Sequence, residues 1–299
     1  MMKALEYILH DLFQNYQKNV PEVQKISKAL IDRGVIKSQK EIVNDHIAFR
    51  TLGVPNLGIK SFERIFLAHG YQKKDYFDFK VKKLNAYWYW HPSNLYPRIF
   101  ISELRVDELS KTAQDIIKKY TGNILEDPIQ NLNLSDGKEI SKFLNTPLWD
   151  LPDSEEYKSL LKESEYAAWV IYNRYYLNHY TISVHELKEG YNTIEQFNVF
   201  LKEIGIKLND SGGEIKESPD GLLRQSSSVS KMQTASFSDH KKLEISGSYV
   251  EFAERKILPQ FINLPAAEIS SKHRREGFEA QNADKIFEST YSTQTQKKQ

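Results

Sequence analysis

The most informative absence in this sequence of 299 residues is that of cysteine, which does not occur at all. Without a thiol the chain cannot form a disulfide framework, a thiolate zinc site, an iron–sulfur cluster or a cysteine nucleophile. Any metal site must therefore be built from histidine, aspartate or glutamate. Eight histidines are available for such a site.

Long apolar runs and an excess of one charge are missing as well. No stretch approaches the roughly 20 consecutive apolar residues of a membrane-spanning helix, and the first residues are polar where a signal peptide needs an apolar run. We therefore expect no membrane partner and a cytoplasmic location. Basic residues number 41 against 40 acidic ones, so we also expect no nucleic-acid partner. The sequence leaves the oligomeric state open.

The local signatures of phosphate loops, dinucleotide-binding loops and nucleophile elbows do not occur either. Aromatic residues, in contrast, make up 12% of the chain, which is typical of an ordered globular protein. Only the segment after about Tyr291 has the composition of a disordered tail.

Hydrophobic periodicity divides the chain into five consecutive parts of one compact unit. Strand-like alternation in VNDHIAFRTL, and again in LNHYTISVHEL, is each time followed by a helix and further strands. This repeat predicts an α+β fold in which two β-α-β-β-β modules form a curved sheet around one cavity. The predicted parts are N-terminal helices (1–40), a first module (41–106), a helical insert (107–170), a second module (171–258) and a C-terminal extension (259–299).

The polar faces of these strands carry the candidate metal ligands. His46 and His179 occupy equivalent places in the two modules, so the fold can bring two imidazoles to one point. Glu251, in the last strand of the second module, is the preferred third ligand, and Glu103 in the first module is its rival. Taken singly, such residues are more often structural, and Glu103 is more simply explained by an ion pair. Two imidazoles and one carboxylate are typical of non-haem Fe(II) oxygenases and of catalytic zinc, which the spacing does not distinguish.

Two further residues, Arg50 and Gln225, belong to the candidate site. Arg50 lies four residues after His46, on the same strand face and about 13 Å along it. Its guanidinium can bind a substrate carboxylate through two hydrogen bonds, although an ion pair with a neighbouring acid explains it equally well. Gln225 offers a neutral donor and acceptor in the second module. We expect His185 to be a buried, hydrogen-bonded side chain rather than a residue that supports one of the ligands.

Several segments together resemble the 2-oxoadipate dioxygenase/decarboxylase family, once classified as a domain of unknown function, within the vicinal oxygen chelate superfamily. In chain order they are DHIAFRT, PRIFISEL, AAWVIYNRYYLNHYT, DGLLRQSS, ISGSYVEFAER and HRREGFEAQNADKIFEST. The resemblance implies paired β-α-β-β-β modules and a mononuclear Fe(II) site with His46, His179 and Glu251 as ligands. Arg50 matches the family's arginine for the substrate carboxylate, and Gln225 matches a polar residue of the pocket. Arg255 is our own addition as a substrate-binding candidate.

The resemblance also implies an activity. The family converts 2-oxoadipate, an intermediate of lysine degradation, and O2 into 2-hydroxyglutarate and CO2. Fe(II) would be the cofactor, with Zn, Ni or Mn possible in purified protein. O2 would be the co-substrate and a small 2-oxo acid the substrate. Two other functions remain open on the same fold. One is an oxygen-independent metal-dependent isomerase, lyase or hydrolase, and the other is a non-catalytic carboxylate-binding protein.

Overall fold

The computed structural model describes residues 3–297. Its α-helices are α1 (Ala4–Asn19), α2 (Pro21–Asp32), α3 (Ile59–Ala68), α4 (Lys111–Thr121), α5 (Gly137–Asn145), α6 (Ser154–Glu163), α7 (Glu165–Asn173), α8 (Ile194–Glu203), α9 (Ala280–Phe287) and α10 (Ser292–Thr295). Its strands are β1 (Asn44–Leu52), β2 (Gln72–Phe79), β3 (Leu84–Trp90), β4 (Arg98–Leu104), β5 (His179–Ser183), β6 (Lys216–Glu217), β7 (Leu223–Ser227), β8 (Met232–Ser236), β9 (Lys242–Ser246) and β10 (Tyr249–Arg255). Across the described range, no helix has both the length and the apolar character needed to span a membrane.

The main sheet has eight strands in the order β2-β3-β4-β1-β5-β10-β7-β6. The first four strands of this order come from the first module and the last four from the second. From the centre outwards, each module contributes its strands in the same order, namely its first, its last and then the two between them. The central strands β1 and β5 pair antiparallel, while each pairs in parallel with the last strand of its own module. The predicted α+β fold of two β-α-β-β-β modules is therefore confirmed. The separate hairpin β8–β9 is an addition within the second module.

One face of this sheet is apolar and is covered by α3 and α8. Phe49 on β1 packs against Phe62 of α3 with ring centroids 4.8 Å apart, and Phe252 on β10 packs against Phe197 of α8 at 5.2 Å. Because side chains alternate along a strand, the residues between these aromatics point to the opposite face. That opposite face carries the polar side chains His46, Arg50 and Glu251, all of them buried.

The C-terminal extension covers the polar face of the sheet. Phe278, Ile286 and Phe287 are buried there, and Phe287 lies on the last turn of α9. The short helix α10 follows, and the amide of Ser292 donates to Glu165 at 2.6 Å. The prediction of disorder after Tyr291 is thus wrong for Ser292–Thr295, because this turn is anchored to the helical insert. Residues 298 and 299 of that predicted tail lie outside the described residues.

The half-buried Glu103 lies on the face of the sheet opposite to Glu251. It pairs with Thr51 in the register of β4 and β1, which places it on the face covered by α3. Its Oε2 accepts a hydrogen bond from the backbone amide of Ile59, at the first turn of α3, at 2.8 Å. The side chain thereby satisfies a free amide at the positive end of the helix. Glu103 contacts none of the predicted ligands, so it is not the third ligand of the cluster. Among residues 3–297 it also forms no ion pair with an arginine, so the simpler explanation expected for it is wrong as well.

Gly58 is required by this contact, and its replacement gives a testable prediction. A Cβ at Gly58 would lie 2.1 Å from Glu103 Oε2, and the residue has a φ of +81°. We expect Gly58→Ala to lower the free energy of unfolding by about 2–4 kcal/mol, since its backbone conformation, with a φ of +81° and a ψ of −165°, is nearly confined to glycine, and the added Cβ would also lie 3.1 Å from the Leu52 carbonyl oxygen. Gly190→Ala is the matched control, because Gly190 has a φ of +87° and no atom within 4 Å of its added Cβ.

The control variant should lose only the strain, about 1–2 kcal/mol. Urea unfolding of both variants measures the difference. Equal losses in the two would contradict the tight packing of Glu103 against the start of α3.

Candidate metal centre

The structure brings together the three residues that the sequence singled out as ligands. His46, His179 and Glu251 are buried, and one nitrogen or oxygen atom from each lies within 4.8 Å of the others. Glu251 Oε1 is 3.4 Å from Nε2 of His46, and its Oε2 is 3.0 Å from Nε2 of His179. Both imidazoles thus direct the same ring nitrogen towards one carboxylate.

The order of the strands explains this convergence. His179 stands opposite Tyr249 in the parallel pair of β5 and β10, two residues before the level of Glu251, and opposite Ala48 in the antiparallel pair of β5 and β1. The ligands therefore come from three adjacent central strands and point to the same face. His46 and His179 are more than 130 positions apart in the chain. Only the pairing of the two modules therefore brings them together.

Each histidine is oriented by the residue that precedes it in the sequence. Nδ1 of His46 lies 2.8 Å from Oδ1 of Asp45, and Nδ1 of His179 lies 3.0 Å from Oδ1 of Asn178. Histidines that bind metals commonly donate their second N–H to such an acceptor, which leaves the other nitrogen free for the metal. Sequence analysis overlooked these two acceptors, although an acid or amide directly before each histidine was a visible signal.

The electrostatics of the cluster favour a cation. Burial raises the pKa of Glu251, but the two imidazoles outweigh burial and lower the pKa to about 2. Burial lowers the pKa of His46, yet the charge of Glu251 and the hydrogen bond to Asp45 raise it overall. For His179 burial prevails and the pKa falls. The carboxylate of Glu251 therefore stays ionised at neutral pH although it is buried.

These donors fit a divalent metal ion. They comprise two imidazole nitrogens and one carboxylate, and they lie close enough to surround one ion. Three protein ligands of this kind leave coordination positions open for other molecules, as in catalytic zinc sites and in Fe(II) oxygenases. The cluster thus has the composition of a catalytic metal site rather than of a closed structural one.

Arg50 lies on the same sheet face and has no acidic partner among residues 3–297. Its Nη1 donates to Thr290 Oγ1 at 2.9 Å and its Nη2 to the carbonyl of Phe287 at 3.0 Å, while Nε has no partner in the structure. The guanidinium also lies 5.1 Å from the ring of Trp169. This buried cation is compensated by carbonyl, hydroxyl and aromatic groups alone, so the site can accept an anion.

Gln225 connects the cluster to the C-terminal extension. Its Nε2 donates to Glu251 Oε1 at 2.6 Å, and its Oε1 accepts from Nδ2 of Asn282 on α9 at 2.9 Å. Asn282 is a further residue that sequence analysis did not identify, and no local motif marks it. Gln225 thus orients the candidate ligand Glu251 and lines the cavity beside it.

Arg255 occupies a different place from the one expected of a substrate ligand. Its Nε and Nη2 donate to the two carboxylate oxygens of Asp45, at 2.6 and 2.8 Å, and its Nη1 donates to the carbonyl of Gly277 at 2.7 Å. The side chain does not line the cavity at the cluster. His185 is hydrogen-bonded as expected, since its Nδ1 accepts from the amide of Arg255 at 3.2 Å. Its side chain is 9% exposed, and partial burial lowers its pKa to about 4.

The cavity at the cluster is small. About 20 Å3 is open to the centres of water-sized molecules, which is room for about one water molecule. Its walls are formed by residues of the sheet and of the C-terminal extension, namely His46, Phe100, His179, Gln225, Tyr249, Glu251, Phe278, Ala283, Ile286 and Phe287. The extension therefore forms one side of the site.

Several known proteins are similar to this chain in sequence. The sequence profile of the 2-oxoadipate dioxygenase/decarboxylase family matches residues 8–261. The chloroplastic 2-oxoadipate dioxygenase/decarboxylase of Arabidopsis thaliana is 46% identical over 85% of this chain and 70% of its own. Because that relative is chloroplastic, the cytoplasmic location expected for this chain stays a prediction.

Two solved structures extend the comparison to the fold. The crystal structure of hydroxyglutarate synthase from Oryza sativa in complex with 2-oxoadipate is similar with a TM-score of 0.86 and 40% identity, over 96% of this chain and 92% of that one. A protein of Ralstonia eutropha assigned to the glyoxalase superfamily has a TM-score of 0.71 at 21% identity, over 85% of this chain and 84% of its own. This second likeness concerns the fold alone.

The raised pKa of His46 predicts how metal binding depends on pH. A metal ion binds the neutral imidazole, and in the metal-free protein the pKa of His46 lies above its usual 6.5. We expect the affinity for Zn²⁺ to be nearly constant above that pKa and to fall about tenfold per pH unit below it, since one proton is displaced. Chelator competition between about pH 8 and pH 5 measures this dependence. An affinity that stays constant through this range would contradict the assignment.

Proposed function

The chain belongs to the 2-oxoadipate dioxygenase/decarboxylase family, and we propose that it converts 2-oxoadipate and O2 into 2-hydroxyglutarate and CO2. The observation that carries this proposal is the buried cluster of His46, His179 and Glu251, which has the ligand composition of a non-haem Fe(II) site. The reaction balances without a further reductant, because the four electrons that reduce O2 come from the keto acid itself. An enzyme of this kind needs a metal, a shielded cavity and a means to orient the acid.

We assign Fe(II) to His46, His179 and Glu251. When bound, Fe(II) supplies the one-electron chemistry that allows O2 to react with a closed-shell organic acid. The protein's own residues hold the ligands in place. Asp45 and Asn178 fix the two imidazole rings through Nδ1, while Gln225 fixes the carboxylate of Glu251.

Arg50 would bind the distal carboxylate of the substrate. Its surroundings are aromatic and dry, since Tyr166 and Trp169 lie against the guanidinium, each with its ring centre 5.1 Å away. A carboxylate paired with a guanidinium there interacts more strongly than it would in water. The Nε of Arg50 has no partner and is available. Nη1 and Nη2 each keep a second N–H besides the one that they donate to Thr290 and Phe287.

Substrate binding then requires the C-terminal extension to move. A six-carbon keto diacid has many more atoms than the cavity of about 20 Å3 can hold. The movable wall consists of Phe278, Ala283, Ile286 and Phe287, which belong to the extension, whereas the other wall belongs to the sheet. Once the segment closes again over the acid, its apolar side chains keep bulk water away from the reacting carbon.

Oxygen uptake tests the proposed reaction. Protein loaded anaerobically with Fe(II) should consume one O2 and release one CO2 for each 2-oxoadipate, with 2-hydroxyglutarate as the product. His46→Ala should reduce the rate by at least about 1000-fold, because the metal loses a ligand. His240→Ala is a matched control and should retain activity, since His240 lies in the turn between β8 and β9, away from the cluster.

Turnover of a 2-oxo acid without O2 would contradict the proposed dioxygenase and indicate an oxygen-independent metalloenzyme. Binding of 2-oxoadipate without turnover, unchanged by removal of the metal, would replace it by the carboxylate-binding protein.

The role of Arg50 predicts a change in substrate preference. Arg50→Met should lower kcat/KM for 2-oxoadipate by about 100-fold, because a charge-assisted hydrogen bond contributes about 1.5–3 kcal/mol. For 2-oxohexanoate, which lacks the distal carboxylate, we expect less than about a threefold change. Arg50→Lys keeps the charge without the fork and should be intermediate. An equal loss for both acids, at equal metal content, would show that Arg50 does not recognise the distal carboxylate.

A further inference from the structure

A buried ion pair lies behind His46, on the Nδ1 side of its ring. Asp45 and Arg255 have side chains that are each only 1% exposed, and neither belongs to the metal-binding cluster. Both carboxylate oxygens of Asp45 accept hydrogen bonds from Arg255, and Oδ1 also lies 2.8 Å from Nδ1 of His46. A pair that is this costly to desolvate needs a compensating role, or apolar residues would serve equally well.

The charge of Asp45 determines which nitrogen of His46 carries the proton. A carboxylate that is bound by a guanidinium through both oxygens is ionised and can only accept hydrogen bonds. Nδ1 of His46 must therefore be the donor, and Nε2 of the neutral ring is left with its lone pair towards Glu251. The tautomer that a metal at the cluster needs is thus fixed by the ion pair.

The second histidine lacks this device. Nδ1 of His179 faces Asn178, whose side chain is neutral and whose Nδ2 has no partner in the structure. An amide can turn either its oxygen or its nitrogen to the ring, so it specifies the tautomer less strictly than a carboxylate does. His46 and His179 occupy equivalent places in the two modules. The tautomer of His46 is nevertheless specified more strictly than that of His179.

Arg255 also reaches the C-terminal extension. Its Nη1 donates to the carbonyls of Gly277 and Arg275, at 2.7 and 3.1 Å. The residue that follows Gly277 is Phe278, whose ring packs edge-on against His46 with centroids 4.7 Å apart. The guanidinium of Arg255 thus binds both Asp45, the hydrogen-bond partner of His46, and Gly277, which precedes the residue that packs on His46.

We propose that Arg255 is a positioning residue that sets His46 for metal binding and couples its orientation to closure of the extension. It acts through Asp45 on the ring and through the Gly277 carbonyl on the covering segment. This inference rests on the proposed function in that a metal binds at the cluster and the C-terminal extension closes over it. It replaces the role of substrate ligand that the sequence suggested for Arg255.

Metal affinity is the primary test, with Co²⁺ as the probe under anaerobic conditions and a chelator as competitor. Loss of such an outer partner typically weakens metal binding by about 10–100-fold, and we expect this for Arg255→Met. Arg98→Met is the comparison variant, because Arg98 donates to the carbonyl and to Oδ2 of Asp45 only at 3.3 and 3.5 Å and is bonded mainly to Glu276. It should change the affinity by less than about threefold.

A double-mutant cycle separates positioning from general stability. If Arg255 acts through Asp45, then Asp45→Asn alone should reproduce the loss, and Arg255→Met should add less than about threefold to it. Since Arg255→Met leaves a buried charge without its main partner, Arg255→Lys serves if that variant does not fold. Lys keeps the charge but not the two-pronged geometry, and we expect about a tenfold loss of affinity.

Hydrogen exchange tests the coupling to the extension. In the wild type, Zn²⁺ should slow amide exchange in residues 277–287, and in Arg255→Lys this effect should be absent. The inference is overturned if Asp45→Asn and Arg255→Lys both bind Co²⁺ within about threefold of the wild type, or if Zn²⁺ protects the segment equally in variant and wild type. A wild type that binds neither metal would overturn the proposed function as well, so the two failures are distinguishable.

Discussion

The buried carboxylate of Glu251, held between two imidazoles, is the interaction on which the other features of the site depend. An ionised acid away from water is strongly unfavourable unless charges and hydrogen bonds compensate it. His46 and His179 supply the compensation on one side and Gln225 on the other. The polar side chains of one sheet face are therefore mutually dependent, and the apolar face packed on α3 and α8 provides the rigid support.

Two arginines extend this dependence to the C-terminal extension. Arg255 binds the carbonyl of Gly277 near the start of the covering segment, and Arg50 binds Phe287 and Thr290 near its end. Arg255 lies behind His46, and Arg50 lies on the same sheet face as the candidate ligands. The C-terminal extension is thus bound by two arginines that have roles in the proposed reaction. Access to the cavity is therefore linked to what these arginines bind.

Much of this arrangement could be predicted from the sequence. The alternation in DHIAFRT and NHYT placed His46, Arg50 and His179 on polar strand faces, and the repeat of the modules suggested that they meet. Other features could not be predicted from the sequence. Glu103 and Glu251 look alike in their strands, but one faces α3 and the other the cavity, since the strand register decides which face is which. Arg255 has the strand parity of Glu251, yet its long side chain turns to Asp45.

The sequence by itself determined the local periodicity, the α+β class, the absence of thiol chemistry and the residue types that could bind a metal. These follow from short-range rules, because side-chain direction in a strand depends only on its neighbours. Tertiary structure alone decided which groups meet: the pairing of β1 with β5, the choice of Glu251 over Glu103, and the closure of the cavity by α9. Such contacts join residues that are far apart in the chain, and they depend on the packing of the whole sheet rather than on any local pattern.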